Sequence, residues 1–502
     1  MAAARGPVVI VGAGVVGAST AYHLAKEHGV RCVVIEAHEP AGAASGKAGG
    51  FLAKGWTAGS HKDVLVQSSF ASYASLAAEL GCDVQFRALD TRSVCADTRG
   101  AAAGVRSARA TRTAVPWLDG RQFGGEEMGS AAAGTSAQVH PGLLTLALLR
   151  RAGETAGTVV VRGSVTGFVT EGGRGADDGA GPASVDGSGG TSGSDSGSGC
   201  AAAAEEAVRS GGVPGRRVCG VRVTGTLQRA TLSDAAFRLD GGALGAAEAW
   251  AAAGAEPRGA VPASTPSPRA VTVATSGVVL CAGPWTDAVV GALCGAGARS
   301  GVYGAKAHSA VLLPPPGPAR SALVGRPCAL FLDYVDDGAT MALSPEVYPR
   351  PDGTVYVCGH ATDDALPPAA GTVRPRPEAA RRLATAAGSV ASALASAELL
   401  ALQACFLPLS EDDEPSLGAV PGVENAWMGA GHGCWGILMA PATGRWLAAA
   451  AAGLDADAAV LDRAKLDPRR FLGAGAGAAT GKRGASAPKE GGGAHSGAVP
   501  AR

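Results

Sequence analysis

No stretch of this 502-residue sequence approaches the roughly 18 apolar residues that a membrane-crossing helix needs, so no membrane span is expected. The chain also lacks net charge, with Lys plus Arg and Asp plus Glu both numbering 43. That leaves no electrostatic case for nucleic acid or an anionic membrane. Paired cysteine motifs are missing too. Eleven cysteines are scattered without a CxxC, no His/Cys cluster has zinc spacing, and an odd number cannot pair fully within one chain. A reduced compartment and no bound metal are the expectation. Only Met1 to Pro7 precede the first apolar run, too few for a signal or transit peptide, which points to the cytoplasm. What the chain has in excess is glycine, 76 residues, and proline, 30, so a single glycine carries less information here than usual.

One stretch stands out from that background. Val8 to Val11 reads as a short buried strand, and Gly12-Ala13-Gly14-Val15-Val16-Gly17 turns it into a helix running through Ala18 to Lys26 and stopped by Gly29. Gly12 permits the tight turn, Gly14 lets a pyrophosphate approach the backbone, and Gly17 lets the helix pack close to the sheet. The helix N-terminus then faces the anion. A second strand, Arg31 to Ile35, ends on Glu36, where a carboxylate can accept both ribose hydroxyls of an adenosine. An acid at that position favours FAD or NAD over NADP, and the motif alone does not choose between the first two.

Downstream, residues 37–56 read as a Gly/Ser-rich loop able to run along a cofactor, with Ser45, Ala48, Gly49 and Gly50 offering small side chains and N–H groups and Lys47 a phosphate contact. Asp63 to Leu80 has helical spacing, Val84 to Val94 alternates like a strand, and Leu143 to Ala152 follows the His140-Pro141 turn as a helix. Thr158 to Val169, Arg217 to Gln228 and Val271 to Ala282 read as three strands of a small sheet, interrupted by low-complexity inserts at about 172–212 and 241–269. Gly283 closes the last of them at the mouth of a doubly wound sheet. Residues 301–349 are strand-rich, and Arg350-Pro351-Asp352-Gly353 is a hairpin turn. Pro375 to Leu402 reads as one long helix, Glu411 to Glu414 as a solvated acidic turn, and the tail from Gly473 as disordered.

Glu424 to Met428, Gly429 to Gly433 and Ile437 onward then form a second strand, glycine turn and helix. Two anion-receptive helix ends argue for a large cofactor held at both ends.

Together the fingerprint with Glu36, the SGKAGG loop, VHPG, VVLCAGPW, the YPRPDG hairpin and GHGCWGILMAPATG span residues 8 to 447. In this order they resemble the FAD-dependent oxidoreductases of the D-amino-acid oxidase, glycine oxidase and sarcosine oxidase (DAO) family, with closest likeness to its fungal and plant branch. The resemblance implies an α/β fold with a Rossmann-like FAD-binding domain and an α+β substrate domain on a mainly antiparallel sheet. It implies a discontinuous FAD domain at 7–60, 136–300 and 403–471, a substrate domain at 61–135 and 301–402, and a tail at 472–502. It also implies adenine and ribose at Glu36, pyrophosphate at Gly12 to Gly17, flavin ring contacts near Ala48, Gly49 and Gly50, and pyrimidine-end contacts from Gly431, His432, Gly433, Gly436 and Ile437.

A helix end beside the flavin N1–C2 edge stabilises the anion that forms when hydride arrives. His432 either adds a hydrogen bond there or bonds backbone, and His360 and Trp435 either line the substrate side or belong to the core. The arginine with which amino-acid-oxidising relatives grip a carboxylate is replaced by Leu407, leaving Arg350 or Lys306 as substitutes. Cys405 falls where sarcosine-oxidising relatives link cysteine to flavin, so it is either an 8α-S-cysteinyl site or a buried thiol.

The function expected is oxidation of a C–N bond in a small amine, amino acid or imino acid, with oxygen or an unknown acceptor. A flavin-binding protein with an interaction or trafficking role is the alternative, and a nicotinamide-dependent dehydrogenase is disfavoured by the second glycine signature.

Overall fold

The computed structural model describes residues 6–97, 115–119, 126–171, 216–229, 270–335, 343–454 and 463–472. The two inserts expected at 172–212 and 241–269, and the tail beyond Leu472, lie outside the described residues.

Val8–Val11 occupies the middle of an eight-stranded sheet, parallel to Cys32–Glu36 on one side and Gly277–Leu280 on the other. Val159–Glu171 and Ala426–Ala430 extend the parallel centre, and antiparallel strands complete each edge. Side chains alternate across this sheet as strand geometry requires. Val8 and Ile10 pack under the helices Val15–His28, Pro141–Ala156 and Gly436–Ala451, whereas Val9 and Val11 join Val290 and Leu293 of the Thr286–Cys294 helix on the other face. Both faces are covered, which is why the central strands are continuous apolar runs.

A second, seven-stranded sheet runs in the order Glu398–Ser410, Val302–Leu313, Val355–Thr362, Glu346–Pro349, Cys328–Val335, Asp90–Asp97 and Glu127–Gly129. All its pairings are antiparallel except that between Cys328–Val335 and Asp90–Asp97. The Pro377–Val390 helix covers one face through Leu383, Ala386 and Val390. The other face, with Phe331, Tyr348 and Tyr356, meets Phe51 and Trp56 from the first half of the chain.

Three expectations change. The helix expected over 375–402 ends at Val390, Ala391 is extended (φ −147°, ψ 124°), and Glu398–Ser410 is a strand. Its pairing with Val302–Leu313, Leu402 opposite Ala310 among the pairs, outweighs the helical preference of its Ala and Leu residues. The strand expected over 271–282 breaks at buried Thr275, whose hydroxyl donates to Gly277 O and accepts from the Val9 N–H. Val271–Ala274 consequently stays at the sheet edge while Gly277–Leu280 enters the centre. The three strands expected to form a small sheet are part of the main one, since Val159–Glu171 pairs directly with Cys32–Glu36.

Candidate functional site

The first glycine turn is built from contacts that admit no side chain. Gly12 has φ +106°, and a Cβ there would lie 2.3 Å from Cys281 O. A Cβ on Gly17 would lie 2.1 Å from Gly12 O, so the helix rests directly on the turn. Gly14 differs: its Cβ would meet only Ser45 Oγ, at 3.1 Å. The Ala13 N–H donates to Glu36 Oε2 at 2.8 Å, and the Val15 N–H donates to Ser45 Oγ at 2.9 Å. Ser45 sits on a helical turn, Ala44–Lys47, in the segment expected as an irregular loop. Burial pushes the Glu36 carboxyl above its usual range, and the N–H groups of Ala13 and His38 pull it partly back.

The second glycine turn follows the strand Ala426–Ala430, two strands along the same sheet from Val8–Val11. Gly431 and Gly433 have φ +79° and +59°, and a short 3₁₀ turn, Gly433–Trp435, leads into the Gly436–Ala451 helix. His432 is buried, with Nε2 3.1 Å from Thr443 Oγ1, and burial pushes its pKa down to about 4, so the ring is neutral. Both turns open into one cavity of about 420 Å³. Gly12, Gly14, Val15, Val16 and Glu36 line one end, Ser45, Ala48 and Gly283 the middle, and His432, Gly433, Gly436 and Ile437 the other.

Other candidates stand off that lining. Gly49 has no room for a Cβ because Tyr348 Cε2 would be 2.4 Å away, and Gly50 (φ +78°) turns the chain against Val139 O. The Lys47 ammonium donates to Ala404 O at 3.1 Å, on the second sheet, and burial lowers its pKa. Trp435 packs edge-on against Trp56 at 6.2 Å, in a group with Phe51, Phe331, Tyr348 and Tyr356. Cys405 is buried beside Lys47, and Leu407, two residues on, lines the cavity.

Lys306 and His360 do not face the cavity. Lys306 pairs with Asp364 at 3.3 Å, and His360 meets Arg382 at 3.3 Å, both on the sheet face that carries the Pro377–Val390 helix. Arg350 is 8% exposed and lies over the Tyr356 ring at 5.2 Å. The sequence reading missed Trp285 and Pro368 to Gly371, which also line the cavity. The Trp285 indole donates to Pro367 O at 2.7 Å, and nothing in an Ala/Pro/Gly run signals that contact.

The donor set fits an extended dinucleotide. A buried carboxylate and one helix N-terminus stand at one end, glycine edges run between, and a second helix N-terminus stands at the other.

A family profile for FAD-dependent oxidoreductases, DAO, matches residues 7–203 and 202–450. TDA3 of Saccharomyces cerevisiae, named as a candidate oxidoreductase, is 31% identical over 200 residues, 39% of this chain and 35% of that protein. A candidate oxidoreductase of Schizosaccharomyces pombe is 29% identical over 171 residues, 34% of this chain and 40% of that protein. These matches span well under half of either curated relative. Glycine oxidase from Geobacillus kaustophilus shares the fold with a TM-score of 0.61 at 19% identity, over 93% of this chain and 100% of that one. Iminodiacetate oxidase from Chelativorans sp. BNC1 gives 0.56 at 18% identity, over 90% and 96%. The chain belongs to the DAO family of FAD-dependent oxidoreductases, and its cofactor is FAD.

Proposed function

We propose that the protein oxidises a C–N bond of a small amine, amino acid or imino acid. The observation that carries this reading is the meeting of two glycine-turn helices and the buried Glu36 carboxylate in one cavity. Bound FAD supplies the hydride acceptor for that chemistry. Glu36 holds the adenosine ribose, and the turn from Gly12 to Gly17 admits the pyrophosphate against the first helix end. Gly433, Gly436 and Ile437 would hold the pyrimidine end of the cofactor at the second helix N-terminus, whose dipole would favour negative charge there. His432, neutral and held by Thr443, offers a hydrogen bond without adding charge. The names of glycine oxidase and iminodiacetate oxidase support donors of this class.

Purified protein with absorption bands in the 370 and 450 nm regions, roughly, carries oxidised flavin. Anaerobic mixing with amines, N-methyl amino acids and cyclic imino acids should then bleach the longer-wavelength band. Failure of every donor to do so would sink the reading.

A further inference from the structure

Residues 363–376, between the Val355–Thr362 strand and the Pro377–Val390 helix, form a loop that leaves the second sheet and reaches the cofactor cavity. Its tip is Pro367-Pro368-Ala369-Ala370-Gly371, of which the last four residues line that cavity. The base is tied down. Asp364 pairs with Lys306 at 3.3 Å and with Arg376 at 3.1 Å, so one carboxylate joins both ends of the loop to the strand Val302–Leu313. The Thr362 hydroxyl donates to the same carboxylate.

The tip is held more lightly. The Trp285 indole donates to Pro367 O at 2.7 Å, and a Cβ on Gly371 would lie 2.9 Å from His38 Nδ1, so the backbone there rests against the imidazole. The hydroxyl of Thr372 and the guanidinium of Arg374 turn back into the loop, donating to Ala369 O and Gly371 O. His38 follows the strand Cys32–Glu36 and Trp285 follows Gly277–Leu280, the two neighbours of Val8–Val11. The tip therefore bridges the two sides of the glycine turn that receives the pyrophosphate. The other walls are strand ends and helix starts, whereas a loop with a fixed base and one hydrogen bond at its tip opens with the least loss of contact.

We propose that this loop gates FAD exchange: it lifts off His38 and Trp285 for the cofactor to enter or leave, and the bond from Trp285 to Pro367 O is its latch. A latch slows loading and release together, whereas a side chain that only touches FAD slows release alone. One neutral hydrogen bond is enough to change the open fraction by roughly threefold to tenfold.

Release is read as the flavin retained by holoprotein after dilution and gel filtration, and loading as the quenching of flavin fluorescence when FAD meets the flavin-free protein. Trp285→Phe, which keeps a ring but loses the donor, should raise both rates by about threefold to tenfold. Release raised alone, or neither rate raised, would overturn the latch. A reversible lock tests the gate itself. A Cβ on Gly371 would lie 3.4 Å from His38 Cγ, which puts side chains at 38 and 371 within disulfide reach. Holoprotein carrying His38→Cys and Gly371→Cys should keep its FAD when oxidised and release it again on reduction, with the parent, which has eleven cysteines of its own, taken through the same treatment. Equal release from both forms, with the disulfide verified by mass spectrometry, would overturn the gate. Failure of the disulfide to form would do the same, since the tip would then not rest on residue 38. Exchange rates do not depend on which donor is oxidised, so this test and the bleaching test fail independently.

Discussion

Glu36 and Ala13, at the C-terminal ends of the two adjacent parallel strands of the first βαβ unit, are joined by a 2.8 Å hydrogen bond from the Ala13 N–H to the carboxylate, whose other oxygen accepts from the His38 N–H at 2.9 Å. The carboxylate therefore braces the glycine turn before any ribose reaches it. Glu36→Ala leaves both N–H groups without this partner and should destabilise the flavin-free protein by about 1–3 kcal/mol, besides lowering its flavin content. Urea denaturation of the flavin-free protein measures the first effect. Equal midpoints for mutant and parent would mean the brace is idle.

Gly14 and Gly17 look equivalent in the sequence but are separable in the fold. Gly14 is extended (φ −73°, ψ 177°) and its Cβ would meet only a rotatable hydroxyl, whereas a Cβ on Gly17 would drive into Gly12 O at 2.1 Å. Gly14→Ala should fold with a stability loss below about 1 kcal/mol and yet bind flavin poorly, because the methyl group faces the pyrophosphate path. Gly17→Ala should fold poorly, with or without cofactor. Flavin retained in Gly14→Ala at the parent's stoichiometry would refute the placement of the phosphates.

The two glycine turns were legible because each is written in consecutive residues. The strand at Glu398–Ser410 was not, because Ala and Leu read as helix and the pairing partner begins almost a hundred residues earlier at Val302. The break at Thr275 was equally hidden, since its hydroxyl accepts from the Val9 N–H, 266 residues away in sequence. His360, left open between the substrate side and the core, is buried on the face away from the cavity for a sharper reason. A two-residue period would put it with Tyr356 and Cys358 on the face that carries the aromatic cluster, but the pairing skips Gly359 (φ +119°) between Ser309–Cys358 and His308–His360. That bulge turns His360 to the opposite face.

His140 makes stability depend on pH. Its Nδ1 accepts the Leu143 N–H at 3.2 Å, capping the Pro141–Ala156 helix. Burial first, then the nearby Arg350 charge, push its pKa down to about 3, with Asp352 pulling partly back. In the unfolded chain the value returns to about 6.5. A depressed histidine contributes stability that is present above the unfolded value and lost as pH falls from about 6.5 toward 3. The melting temperature should fall between about pH 7.5 and pH 5. Asn can cap the helix but does not titrate, so His140→Asn should show a smaller fall. An identical fall in both proteins, by scanning calorimetry, would place the pH dependence elsewhere.

Cys405 stands at the position where a covalent flavin link would form, but its chemistry argues against one. A thioether requires the thiolate as nucleophile. Burial pushes this thiol up to about 11 despite the pull of the Lys47 charge, leaving on the order of one thiolate in ten thousand at neutral pH. It shares a strand face with Leu407 yet is buried beside Lys47 and is not among the residues that line the cavity. Cys405→Ser should therefore bind flavin as the parent does, and acid precipitation of the parent should release all its flavin into the supernatant. A pellet that stays yellow in the parent and turns colourless in Cys405→Ser would demonstrate the link. It would also require that FAD binding open this strand and lower the thiol's pKa by several units, a rearrangement that the Lys47 bond to Ala404 O opposes.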